Sequence, residues 1–104
     1  MVKEIYLLSG KFPKSESFGL LQQIRRAVIS ISSNIAEGAG RSTDLDFCRF
    51  LDMANGSAFE VESQLFLAFD LEYISRSELD ETMCKVQDVQ HLLFKFKQNL
   101  QEKS

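Results

Sequence analysis

Phe47, Leu51, Ala54, Ala58, Val61, Leu65 and Ala68 follow one another at alternating steps of four and three residues. That is heptad spacing held over three repeats, and on an α-helix it lays one unbroken apolar stripe along a single face. Strands alternate every second residue and cannot use this pattern. A stripe this long is buried only against other long helices, so the chain is committed to helix-on-helix packing. At 104 residues it is one domain, residues 1–104, with a modest core.

The remaining elements are read around this helix. Val2 to about Gly10 is a short helical piece, broken by Phe12-Pro13 and a polar turn from Lys14 to Ser17. A second helix runs from about Ser17 to Gly38 and lines up Leu20, Ile24, Ala27, Val28, Ile31 and Ile35. Gly38, Ala39 and Gly40 end it in the manner of C-cap glycines. The striped helix begins at Ser42 or Thr43, either of which can cap it, and extends toward Tyr73. Ser75 and Glu78 have capping-box spacing ahead of a fourth helix, whose stripe is Leu79, Met83, Val86, Val89, Leu93, Phe96 and Leu100. Lys95, Lys97 and Lys103 near its end suit the negative pole of the helix dipole. Short connections favour antiparallel neighbours. The fold class is therefore all-α, an antiparallel up-and-down four-helix bundle with a shortened first helix.

Composition narrows function mainly by exclusion. The apolar share of 44% and charged share of 26% are those of a globular domain. A net charge of −3 gives no global attraction to nucleic acid or acidic lipid. No apolar run approaches the ~18 residues of a membrane span. The two cysteines, Cys48 and Cys84, sit on separate helical segments and read as reduced thiols. With no secretion signal evident, the expected location is the cytoplasm. The single histidine, His91, stands in Asp88-Val-Gln-His91, and one such element cannot complete a bundle metal site. Cys84 lies on nearly the same face as His91, but no third group orients the pair and no oxyanion donors accompany it. No enzyme activity, cofactor or metal is expected.

Two features exceed an ordinary bundle. On the second helix Gln23, Arg26, Ser30, Ser33, Glu37 and Arg41 share a polar stripe, with Asn34 at its apolar border. Either this is a solvated face, or it is a partly buried seam in which Asn34 and Glu37 bond backbone or arginine groups. On the third helix Cys48, Phe59, Phe66 and Tyr73, with Asn55 in line, form a second apolar strip. That strip is either a wide core face or a subunit interface, where aromatic residues are enriched. Arg25, Arg26, Lys95 and Lys97 are the candidate nucleic-acid contacts. The third helix sets a single basic residue, Arg49, against Asp44, Asp46, Asp52, Glu60, Glu62, Asp70 and Glu72, which suits helix pairing better than a broad phosphate track.

Taken as a motif, Ser30 to Arg41 (SISSNIAEGAGR) followed by FCRFLDMANGSAFEVESQLFLA resembles a bacterial family called four helix bundle protein, or 23S rRNA-intervening sequence protein. The resemblance runs from near Tyr6 through Gly19–Gly38, Ala54–Ser57 and Glu60–Leu65, and weakens along the fourth helix. It implies an all-α bundle that is a homo-oligomer, with a ring of five as the expected form, and no established enzymatic activity. Family members carry more of the first helix than precedes Tyr6 here, so part of a groove is expected to be open or filled by a neighbouring subunit. A related bundle binds nucleic acid but is basic, unlike this chain. The expectation is a non-catalytic, self-associating scaffold or protein-interaction module. Asn34, Glu37, Arg41 and Ser57 would form its structural polar set. The alternative is an accessory nucleic-acid binder of RNA or DNA.

Overall fold

Local chemistry sets where each helix starts and stops. In the computed structural model, which describes residues 1–103, α1 spans Val2–Ser9, α2 Leu20–Ala39, α3 Asp44–Asp70 and α4 Arg76–Lys103. A 3-10 turn at Lys14–Glu16 joins α1 to α2. No strand occurs among the described residues. Thr43 caps α3 by accepting a hydrogen bond from the Asp46 amide at 3.1 Å. The capping box before α4 is reciprocal: Glu78 N–H donates to Ser75 Oγ at 3.1 Å and Ser75 N–H donates to Glu78 Oε1 at 2.9 Å.

The start of α2 lies three residues later than the spacing predicts. Gly19 precedes it without a side chain to cap it, and Glu16 substitutes, accepting from Leu20 N–H at 3.0 Å. The same carboxylate accepts from the Tyr73 hydroxyl at 2.6 Å, tying the α1–α2 connection to the far end of α3. The Tyr73 hydroxyl, then the Leu20 amide, hold the Glu16 carboxyl below the usual carboxylate range, and Glu16 in turn pushes the Tyr73 phenol up.

The helix pairs in contact are α1–α2, α2–α3, α3–α4 and α4–α1, while neither diagonal pair is in contact among the described residues. This is the closed cycle of an up-and-down four-helix bundle. Cross-helix ion pairs fix the direction: Lys11 with Glu78, and Glu4 with Lys85 at 3.0 Å, so α1 and α4 run antiparallel. The heptad stripe of α3 forms the centre. Leu51, Ala54, Ala58, Val61, Leu65 and Ala68 are buried and Phe47 is half-buried. Ile5, Ile24, Val28, Ile31 and Val86 close over it. Each such side chain contributes about 1.5–3 kcal/mol through removal from water.

Two glycine expectations change. Gly40 follows α2 with φ −85°, an ordinary right-handed conformation, so left-handed capping is not its role. Gly38 is required by proximity: a Cβ there would lie 2.7 Å from Phe50 Cβ and 2.8 Å from Phe47 Cδ1. It lets the end of α2 press onto the start of α3. The left-handed cap of this chain is instead Glu72, φ 63°, which ends α3. Tyr73 N–H bonds to Ala68 O at 2.8 Å and Glu72 N–H to Phe69 O at 2.9 Å, the pair of bonds that defines a Schellman motif.

Candidate functional site

The polar residues of α2 and α3 meet along one seam. Asn34, half-buried, donates from Nδ2 to Ser30 O at 2.9 Å and to Ser30 Oγ at 3.1 Å. Ser30 Oγ in turn lies 2.9 Å from Ser57 Oγ on α3. Asn34, Ser30 and Ser57 thus form a chain of hydrogen bonds across the helix pair. Glu37 and Arg41 stand apart from it. They pair with each other at 2.9 Å on the exposed surface, and the Arg41 guanidinium lies 4.7 Å from the centre of the Phe50 ring. The four residues of the expected polar set therefore divide into a seam (Asn34, Ser57) and an exposed clasp (Glu37, Arg41).

The seam opens outward into a shallow polar cleft lined by Gln23, Arg26, Ser30, Ser57, Glu60 and Gln64. Gln64 is 9% exposed, and its Oε1 is buried with no hydrogen-bond partner among the described residues. The polar stripe read from the sequence already held Gln23, Arg26 and Ser30; sequence reasoning missed Glu60 and Gln64 on α3 as their partners. A signal was present. Gln23, Arg26 and Ser30 share one face of α2, Ser57, Glu60 and Gln64 share one face of α3, and antiparallel neighbours bring two such triplets together.

The second strip of α3 is narrower than its spacing predicts. Phe59 and Phe66 project into solvent at 58% and 51% exposure. Cys48 does not: it is buried in the core, with Sγ 4.0 Å from Lys97 O. Tyr73 is half-buried, engaged by Glu16, and packs its ring on Phe12 at 5.5 Å. Both face inward because the strip curves around the helix toward α4 and α1, leaving only its middle free. Phe96, expected within the α4 core stripe, is 46% exposed and touches the Phe47 ring at 5.1 Å.

The candidate nucleic-acid contacts divide in the same manner. Arg25 binds α1 to α2, donating to Ser9 Oγ at 2.9 Å and Tyr6 O at 3.1 Å, with its guanidinium 4.6 Å from the Tyr6 ring centre. Lys97 donates to Asp52 at 2.7 Å, and this partner pushes its pKa up. Arg26 and Lys95 are exposed and outside any ion pair among the described residues. His91 and Cys84 are exposed on α4. Among the described residues no cluster of three His, Cys, Asp or Glu side chains is arranged to hold a metal, and no helix is long and apolar enough to cross a membrane.

The family model described as 23S rRNA-intervening sequence protein matches residues 1–95. The end of α4, from Phe96 onward, lies outside the match. Among solved structures the chain is similar to a protein with unknown function from the S23 ribosomal protein family of Bacteroides thetaiotaomicron. The two superpose with a TM-score of 0.80 at 26% identity, over 92% of this chain and 87% of that one. No curated protein matches.

Proposed function

We propose that this chain, which belongs to the 23S rRNA-intervening sequence protein family, is a non-catalytic helical bundle that self-associates and acts as a scaffold or protein-interaction module. The observation that carries this reading is the placement of large apolar side chains on the outside of α3 and α4. Phe59, Phe66, Leu92 and Phe94 are each more than half exposed, at 58%, 51%, 65% and 65%. Apolar side chains gathered on outer helix faces mark interaction surfaces, and a small core gains stability from association. A closed ring, with five subunits as the resemblance implies, is the expected form. The polar seam of Asn34, Ser30 and Ser57 fits a structural part, since its hydroxyls and amide bond one another across two helices.

Sedimentation tests the reading. The wild-type chain is expected to sediment as an assembly at micromolar concentration, and Phe59→Ser/Phe66→Ser as a folded single chain. Wild type sedimenting as a single chain overturns it. The rival, an accessory nucleic-acid binder, is less favoured because Arg25 is held by Ser9 and Tyr6 and Lys97 is paired with Asp52 at the surface. A gel shift with RNA or DNA that appears at low salt and fades as salt rises would favour that rival.

A further inference from the structure

The polar cleft between α2 and α3 holds groups that the seam does not engage. Ser30 and Ser57 close one end of it, 2.9 Å apart. Seven residues back along α2 stands Gln23, and seven residues on along α3 stands Gln64, so antiparallel pairing sets these two amides level at the other end. Between the ends Ala27 is 3% exposed and contributes only a methyl group, which leaves space between the longer side chains. The cleft has a volume of about 440 Å³, within the range of small-molecule sites.

Two charges of opposite sign line it, Arg26 on α2 and Glu60 on α3. Both are exposed, and they do not meet: among the described residues neither side chain takes part in an ion pair or a hydrogen bond. The other polar residues of the cleft, Gln23, Ser30, Ser57 and Gln64, are uncharged, so it is neutral in sum with one positive and one negative wall. Gln64 is 9% exposed, its Oε1 is buried with no partner, and its Nε2 makes no hydrogen bond among the described residues either. Buried amides are ordinarily satisfied, so an unengaged one lining a cleft points to an occupant. The terminal torsion of glutamine is soft and two-fold. A half-turn exchanges its two ends, so the end toward the cleft is a donor or an acceptor as the occupant requires.

We propose that this cleft binds a small zwitterion of the α-amino-acid class, its carboxylate on Arg26 and its ammonium on Glu60, with Gln64 as a second acceptor for the ammonium. A guanidinium takes a carboxylate through two parallel N–H···O bonds, and a carboxylate with an amide oxygen suits the three donors of an ammonium. A simple anion would face Glu60 and a simple cation would face Arg26, whereas a ligand carrying both charges satisfies both walls. Gln23 and the seam hydroxyls are left for a polar side chain. The site lies within the α2–α3 pair of one chain and requires no second copy.

Isothermal titration of the wild-type chain tests this with three probes: L-glutamine; N-acetyl-L-glutamine, which lacks the ammonium; and L-glutaminamide, which lacks the carboxylate. L-Glutamine is expected to bind once per chain with a Kd of about 1 mM or tighter, and each derivative at least ~10-fold more weakly. Arg26→Gln and Glu60→Gln change exposed positions, and circular dichroism should show both folded. Each is expected to weaken L-glutamine ~10-fold or more. Arg26→Gln should also erase the preference over L-glutaminamide, and Glu60→Gln the preference over N-acetyl-L-glutamine, which a merely structural role would not do. No saturable binding of L-glutamine by about 20 mM overturns the proposal. Equal binding of either derivative by the wild-type chain also overturns it, and gives the cleft to a simple anion or cation. Binding that both substitutions leave unchanged places the amino acid elsewhere and overturns it as well.

Discussion

The two ends of α2 and α4 are built alike and differ in what packs on them among the described residues. At the α1 end, Ile5 and Leu8 are buried, Arg25 reaches across to Ser9 and Tyr6, and Lys11–Glu78 and Glu4–Lys85 fasten the edges. At the other end, α2 presents exposed Ser32, Ala36 and Ala39 and α4 presents exposed Leu92 and Phe96 on the corresponding sides. The covered end holds its polar groups in specific pairs. The other end carries exposed apolar side chains. In the proposed reading stability and association fall to different parts of one small molecule, and substitutions should separate them.

The largest difference is expected between Ile5→Ala and Leu92→Ala. Ile5 is fully buried, and truncating it should cost about 2–5 kcal/mol in chemical denaturation. Leu92 is 65% exposed, and its truncation should change the stability of a single chain by no more than about 0.5 kcal/mol while weakening assembly. Equal losses for the two would break the comparison.

The glycines of α2 and α3 offer the next contrast. Gly38→Ala places a methyl group 2.7 Å from Phe50 Cβ and should destabilise by about 1–3 kcal/mol. Gly56→Ala enters open space, with nothing within 4 Å, and should stabilise α3 by about 0.5–1 kcal/mol. Thermal melting of the pair reads the sign. Smaller effects are expected along the polar motif. Ser57→Ala leaves Ser30 without its cross-helix partner and should cost about 1 kcal/mol, whereas Glu37→Ala removes an exposed pair and should cost about 0.5 kcal/mol or less. The reverse order would show that the exposed clasp, and not the seam, joins the helices.

Acid should open the covered end first. Glu4 is held down to about 2 from an ordinary 4.5 by the N-terminal ammonium first, then by backbone hydrogen bonding, then by Lys85. Glu78 is lowered chiefly by Lys11, and Glu16 by Tyr73. Carboxyls depressed in the folded state contribute stability above their unfolded value that is lost as pH falls through the folded value. Protection of α1 amides from hydrogen exchange should therefore decline as pH drops from about 4.5 toward 2, ahead of the amides in the middle of α3. Simultaneous loss would contradict the division between the two ends.

Much of the fold was legible because it rests on periodicity. The heptad stripe of α3 and the Ser75–Glu78 capping box are local patterns with a single physical reading, and both occur as spaced. Helix ends were less legible. Glu72 occupies a left-handed position that glycine normally fills, and Gly40 declines it, since the close approach of Phe47 and Phe50 governs the nearby Gly38 instead. The candidate surfaces were legible in part. Spacing identified Phe59 and Phe66 as members of a strip, but which part of that strip stays outside depends on where α4 and the α1–α2 connection cross α3. That crossing buries Cys48 and engages Tyr73 through Glu16. The polar cleft needed the pairing of two helices before its triplets could be seen as one set.

The most direct test is the molar mass of the wild-type chain in solution, followed by light scattering through a dilution series from high micromolar concentration. The account predicts a mass of several times the 11.9 kDa of one chain, falling toward that value on dilution or on loss of the exposed phenylalanines. A constant 11.9 kDa across the whole series would contradict it.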